Sequence, residues 1–360
     1  MRNYNEIVEK FILEGNVETI APLGEGFIND TFTVTTQGDA PNYILQRKNH
    51  VIFTDVPAMM ENIERITAHL KAKVEARGGD TSREVMTINK TVDGKSYYQD
   101  SEGNFWTMCV FIKDSVTLDK ADSLELCYKG GYGIGRFQSD LVDFEGQLAE
   151  TIKGFHNIRW RFKQWDETIA ANKVGRVAQL AEEIAWIESR REEMLNFWAL
   201  VENGEIPTRI THNDTKLSNV LFDKSGEVLC MIDLDTVMSS TSLNDFGDAI
   251  RSYTNTGAED DKELDKVSMN LEYFEAYTKG YLAAREGSLT ALEAEWLAFS
   301  ARYITFEQVL RFLMDYIDGD NYYRTAYPEH NLVRTHAQYK LLKSIEEQYE
   351  QMCKIVKENA

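Results

Sequence analysis

Residues 211–235 read THNDTKLSNVLFDKSGEVLCMIDLD, and this stretch decides how the rest of the chain is read. The apolar runs VLF and VLCMI flank the turn signal DKSGE, which predicts a β-hairpin. On the loop before it, His212, Asp214 and Asn219 form an H-x-D-x-x-x-x-N pattern, and Asp233 follows on the second strand. Phosphoryl transfer from ATP asks for such a set: a carboxylate to orient the acceptor hydroxyl and take its proton, and hard oxygen ligands for the Mg²⁺ that bridges the phosphates. The hairpin would bring Asn219 near Asp233, and strand alternation would put Asp235 on the same face as Asp233. Any one piece can be structural, since aspartates often cap turns. The ordered set carries the reading.

Working outward, residues 1–112 alternate as short strands in VETIAPL, NDTFTVTT, NYILQRKN, KSYYQD and NFWTMCVFI, interrupted by a helical pattern over Val56 to Ala76. From 113 to 360 helical spacing dominates, over Leu124 to Phe144, Ala178 to Val201, Leu264 to Arg285, Leu292 to Tyr316 and Thr335 to Lys357. The expected fold is therefore α+β: a β-rich N-terminal lobe, 1–112, and a mainly helical C-terminal lobe, 113–360, that carries one functional hairpin.

Composition narrows the partners. With 39 Lys+Arg against 59 Asp+Glu the net charge is −20, which repels nucleic acid and anionic lipid. The cysteines at 109, 127, 230 and 353 lack the spacing of a zinc site or a disulfide framework. Neither a cleavable leader nor a bilayer-length apolar run is present, so a cytoplasmic location is expected. Monomer and homodimer both remain open.

These residues carry a resemblance. Through GEGFINDTF, YILQ, THNDTKLSN, IDLDT, DFGDAIR, MDYIDGDNYY and YPEHNLVRT the chain resembles the aminoglycoside phosphotransferase and choline kinase family, distant relatives of the protein kinases, and within it the bacterial N-acetylhexosamine 1-kinases. The resemblance implies a protein-kinase-like two-lobed fold and ATP-dependent phosphorylation of GlcNAc or GalNAc at the anomeric hydroxyl. It implies Asp214 as the catalytic carboxylate, Asn219 and Asp233 as magnesium ligands, and an architectural His212. Lys216 would neutralise charge on the γ-phosphate, with a solvated lysine as the alternative. Arg311 and Tyr322 would bind the sugar, with Glu307 one helical turn before Arg311; a plain Glu307–Arg311 pair is the bland alternative.

The nucleotide is expected at the turn of Gly24 and Gly26, where backbone amides can approach phosphates, and near the backbone of Val110 and Ile112. Most relatives place a phosphate-binding lysine near Gln46. Here Arg47 and Lys48 are adjacent and point to opposite faces, and Glu64 on the following helix is the candidate partner.

Two motifs read as decoys. Asp245, in DFG, is expected to support the catalytic loop or to start a helix beside an Asp248–Arg251 pair, and GGYGIG at 130–135 is expected to allow close helix packing. Kinases of choline, homoserine, methylthioribose or an aminoglycoside share the catalytic residues, and a non-catalytic nucleotide-binding pseudokinase is the reading outside enzymes.

Overall fold

The computed structural model describes residues 4–24 and 28–360. In chain order its elements begin α1 (Tyr4–Val8), β1 (Val17–Pro22), β2 (Asp30–Thr36), β3 (Tyr43–Lys48), α2 (Val56–Ala76), α3 (Thr81–Glu84), β4 (Ile88–Asn89), β5 (Tyr98–Gln99), β6 (Phe105–Val110) and β7 (Ser115–Val116). They continue with α4 (Leu124–Asp140), α5 (Ile158–Ala171), α6 (Ala181–Glu188), α7 (Arg191–Glu202), β8 (Arg209–Thr211), β9 (Val220–Asp223), β10 (Val228–Met231) and β11 (Met238–Ser240). The last helices are α8 (Ser242–Tyr253), α9 (Leu271–Ala284), α10 (Ala291–Asp318) and α11 (His330–Asn359). This is the two-lobed kinase-like arrangement, an antiparallel sheet lobe and a helical lobe.

The chain divides into two compact units. The first comprises Met1–Val116, Asp143–Lys153 and Leu221–Met238; the second comprises Thr117–Val142, Gly154–Val220 and Ser239–Ala360. In the first unit the sheet runs β1-β2-β3-β6-β4, with β5 also on β6. Register pairs Gln46 with Thr107 and Lys48 with Phe105. Because side chains alternate along a strand, Gln46 and Lys48 share one face of β3 and Arg47 takes the other. The opposite face of the sheet is sealed by Phe32, Val34, Leu45, Trp106 and Met108. Helix α2 starts where Asp55 caps the Ala58 amide at 3.0 Å and Pro57 fits the first turn.

In the second unit the glycine run of α4 lies against α9. A Cβ on Gly131 would strike the Tyr277 carbonyl, and one on Gly280 would strike the Tyr128 carbonyl. These glycines therefore let two helix backbones approach closely, as the packing interpretation of GGYGIG expects. Helix α10 opens on a capping box of Thr290 and Glu293 and stops at Gly319, whose φ of 101° lies in the left-handed region.

Some expected boundaries shift for local reasons. The pattern over 178–201 is two helices, because the chain turns at Ser189 and Arg190. Helix α5 was not anticipated, since its charged residues blur the apolar period. Strand β10 ends at Met231, and Asp233 adopts φ 59°, ψ 56° before a 3-10 turn over Leu234–Thr236. Asp233 and Asp235 are thus not on a strand, and the alternation argument that paired them does not apply.

Candidate active site

The catalytic loop leaves β8 and re-enters strand at Val220, so its residues are held at both ends. Asn213 sits at φ 64°, a conformation that asparagine tolerates better than most residues. That turn aims the amides of His212 and Asn213 together at Asp245, whose carboxylate accepts them at 3.0 and 2.7 Å. Gln138 donates to the same carboxylate at 2.8 Å, and the Thr215 hydroxyl donates to the Asp245 carbonyl at 2.6 Å. Asp245 is fully buried. Burial pushes its carboxyl above the usual range despite the opposing pull of His212 and these donors. Asp245 therefore supports the loop from beneath, while Asp248 pairs with Arg251 at 2.9 Å. Both features expected of the DFG segment are present.

Asp214 is partly exposed on top of this platform. Lys216 donates to Oδ2 at 3.0 Å, and Asn219 donates from Nδ2 to both Oδ2 and the Asp214 carbonyl at 2.8 Å. Burial alone would raise the Asp214 carboxyl; Lys216, His212 and Asn219 reverse that and hold it below its ordinary value. The group is an ionised carboxylate at neutral pH. His212 is buried under the loop, where Nδ1 accepts the Asp214 amide at 3.3 Å, an architectural position. With Nδ2 turned to Asp214, the Asn219 amide oxygen points the other way.

A buried network extends from the loop. His156 sets Nε2 against the Asn213 carbonyl at 3.0 Å and Nδ1 against Glu307 at 2.6 Å, tying the loop to α10. Burial would raise Glu307, but His156, Arg311 and Arg161 hold it below the normal carboxylate range. Arg161 donates to Glu307 at 3.3 Å and to the Phe155 carbonyl. Glu307 and Arg311 form no direct ion pair; Arg311 donates to Gln308 at 3.5 Å. Its guanidinium is surrounded instead by the rings of Phe155, Tyr322 and Tyr323 at 4.8, 5.7 and 5.6 Å.

Arg311 and Tyr322 line a cavity of about 420 Å³ with Arg161, Gln164, Asp315 and Tyr323; Glu307 lies behind its wall. Asp315 shapes this cavity. After α10 ends, its carboxylate takes the amides of Asn321, Tyr322 and Tyr323 at 2.8 to 3.0 Å, turning the two tyrosines inward. The Tyr322 hydroxyl is buried with no hydrogen-bond partner within 3.5 Å.

In the first unit, Lys48 is the basic residue that shares a face of β3 with Gln46. Its ammonium meets both Asp235 oxygens and the Gln46 amide oxygen, each at 2.7 Å, and Asn29 donates to Asp235 at 2.8 Å. The lysine and aspartate are almost wholly buried. They border a recess of about 20 Å³ with Asp233, Met60 and Cys109, room for roughly one water. Asp235, expected beside the metal, spends its oxygens on Lys48 and Asn29. Glu64, expected as the lysine's partner, instead pairs with Lys90 and accepts from Ser96 at 3.1 Å. The cause is the 3-10 turn, which swings Asp235 toward β3 where strand geometry would not.

The remaining nucleotide residues are only partly described. Gly24 has φ 65° and open space around it, as a phosphate-approaching turn needs, while Gly26 lies outside the described residues. The Val110 amide is taken by the Thr87 carbonyl at 2.9 Å, and the Ile112 carbonyl accepts from Ser115 at 2.6 Å. Among the described residues no group of three His, Cys, Asp or Glu side chains is placed to hold a metal ion by itself. The Asn219 amide oxygen in the second unit and the Asp233 carboxylate in the first are each an oxygen donor of the kind Mg²⁺ takes. No helix among the described residues is long and apolar enough to cross a membrane. None of the four cysteines is in a disulfide, and burial pushes the Cys109 thiol up to about 11.

Sequence reasoning missed His156, Arg161 and Asp315. Asp315 carried a faint signal, lying one helical turn after Arg311; His156 carried none, because its partners stand 57 and 151 residues away.

Comparison with solved structures gives the same fold throughout. An aminoglycoside phosphotransferase from Alicyclobacillus acidocaldarius matches with a TM-score of 0.58 at 13% identity, covering 96% of this chain and 95% of that one. A choline kinase from Cryptosporidium parvum matches with 0.56 at 13% identity, over 94% and 91%. Spectinomycin phosphotransferase in complex with ADP and spectinomycin matches with 0.54 at 13% identity, over 96% and 97%. Such identities speak for the fold alone. The sequence model described as "Phosphotransferase enzyme family" matches residues 19–287, three quarters of the chain and the whole catalytic loop with its supporting aspartate, and to that family the chain belongs.

Proposed function

We propose that this phosphotransferase is an ATP-dependent kinase of an N-acetylated hexosamine, GlcNAc or GalNAc, acting at the anomeric hydroxyl. The observation that carries the acceptor class is Arg311. A choline or ethanolamine site needs an aromatic cage that closes on the ligand's cation. Here the cage of Phe155, Tyr322 and Tyr323 already encloses the protein's own guanidinium. A second ammonium would meet like charge, whereas a neutral sugar would meet hydrogen-bond donors suited to hydroxyl and acetamido oxygens.

In the proposed chemistry the bond between the γ-phosphorus and the bridging oxygen breaks as the anomeric oxygen bonds to phosphorus. Asp214 orients that hydroxyl and receives its proton. An anomeric hydroxyl is more acidic than a simple alcohol, so a carboxylate held below its ordinary pKa suffices as base. Lys216, already on Asp214, brings positive charge to the phosphoryl oxygens. Asn219 and Asp233 are the residues that would hold magnesium, which when bound neutralises the triphosphate. Spectinomycin phosphotransferase binds ADP within the same fold, which supports an adenine nucleotide as donor.

Two measurements test this. ADP release across GlcNAc, GalNAc, choline, ethanolamine, homoserine, methylthioribose and aminoglycosides, with phosphorus NMR of the product, should yield a sugar 1-phosphate. Turnover confined to the amines would remove the sugar reading, and no turnover of any acceptor would favour the pseudokinase. Asp214→Asn should lower kcat by roughly 10³ to 10⁴ while leaving ATP affinity largely intact; full activity would end the assignment of Asp214.

A further inference from the structure

A second cavity in the helical unit, of about 1240 Å³, is lined by Leu282, Leu289, Trp296 and Tyr349 together with Arg285. Arg285 follows the last turn of α9 and is 2% exposed. A basic residue there usually bonds to the last helix carbonyls. This one does not: Nε and Nη2 are buried with no hydrogen-bond partner, and Arg285 enters no ion pair among the described residues. Two of the other buried arginines meet a carboxylate directly. Arg161 meets Glu307 and Arg251 meets Asp248. The nearest favourable neighbour of Arg285 is the Tyr281 ring at 5.9 Å, at the limit of a cation–π contact.

Two of the three guanidinium nitrogens thus lack both water and a partner, which is unfavourable, so the site is suited to an anion supplied from outside the chain. The surroundings agree. Thr290 and Ala291, which begin the 28-residue helix α10, line the same cavity and bring the positive end of its dipole to it. The ionic side chains of the lining are Lys279, Lys357 and Arg285 with Glu286 and Glu295, and Lys279 is paired with Glu275. The aliphatic and aromatic walls would cover an apolar body.

We infer that this groove binds an amphiphilic organic anion, a carboxylate or phosphate head on an apolar body, with Arg285 as the counter-ion. The inference is independent of the acceptor assigned above.

Calorimetric titration of the full chain with octanoate, octyl phosphate, 1-octanol and inorganic phosphate tests it. Octanoate, octyl phosphate or both should bind at least tenfold more tightly than octanol and than inorganic phosphate, the tighter of the two naming the head group. Arg285→Met should abolish that preference while kinase turnover is retained. Ala294→Trp, which narrows the groove and keeps the arginine, should weaken the same ligands and keeps the test open if Arg285→Met does not fold. Octanol binding as well as octanoate, inorganic phosphate binding as well as octyl phosphate, unchanged binding after either substitution, or no binding at all would each overturn the proposal.

Discussion

Lys48 in the sheet unit and Arg311 in the helical unit are both buried cations beside a cavity, yet they are neutralised in opposite ways. Lys48 has a carboxylate on it at 2.7 Å, and the recess at its side holds about one water. Arg311 has rings and an amide around it, no carboxylate in contact, and a cavity of about 420 Å³ before it. Burial opposes the Arg311 charge, but Tyr323, Tyr322 and Glu307 together hold its pKa above the ordinary value. A cation already paired inside the protein spends its charge on position. A cation cradled by π faces keeps its N–H donors for a ligand.

The largest expected effect breaks the paired side. Lys48→Met leaves the Asp235 carboxylate buried without its partner, which should cost about 3–5 kcal/mol of folding stability by urea denaturation. Lys48→Met with Asp235→Leu removes both charges and should recover most of that loss. If the double variant is no better than the single one, the pair is not what the lysine contributes. Because Asp235 stands two residues after Asp233, the single variant should also disturb the turn that carries the proposed magnesium ligand.

The next effect breaks the unpaired side. Arg311→Met removes cation–π contacts worth about 2 kcal/mol or less, so folding should suffer less than in Lys48→Met. Loss of charge-assisted hydrogen bonds to the acceptor, about 1.5–3 kcal/mol, should raise its KM roughly tenfold to a hundredfold with little change for ATP. A large stability loss with an unaltered acceptor KM would make Arg311 a second Lys48.

The sequence exposed these two sites unequally, for a physical reason. The chemistry of the candidate catalytic loop is contiguous, so His212, Asp214 and Asn219 could be read as a motif, and helix α2 carried its apolar period in plain view. The support by Asp245 was legible only through the family resemblance, since the residues alone fitted a helix start equally well. The partner of Lys48 could not be read. Glu64 was the natural choice on a kinase-like template, and only the left-handed backbone at Asp233 sends Asp235 there instead. The ring cradle of Arg311 likewise depends on Asp315 gathering three consecutive amides, a tertiary event without periodicity. Local rules found the elements and the loop; contacts between distant segments decided which charge meets which.

A smaller effect tests how Arg311 is compensated at a distance. Glu307 has a folded-state pKa below its ordinary 4.5, so its ionised form contributes stability that is fully present above about pH 4.5 and is lost as pH falls through the lower folded value. Wild type should therefore lose stability faster than Glu307→Gln as pH falls below about 4.5, and their urea midpoints should converge on acidification. Parallel curves would mean that the carboxylate's charge is not what ties His156, Arg161 and Arg311 together.

The smallest expected effect is the sharpest test of a ligand-ready cavity. The Tyr322 hydroxyl is buried without a hydrogen-bond partner, an arrangement that costs stability unless a ligand supplies one. Tyr322→Phe keeps the ring against Arg311 and removes only that oxygen. Thermal unfolding without acceptor should be unchanged or shifted upward, by the equivalent of about 1 kcal/mol at most. The acceptor's KM should rise about threefold to tenfold, the worth of one neutral hydrogen bond. A lowered melting temperature with an unchanged KM would assign the hydroxyl to the fold, and the cavity around Arg311 would lose one of the two donors proposed to recognise the sugar.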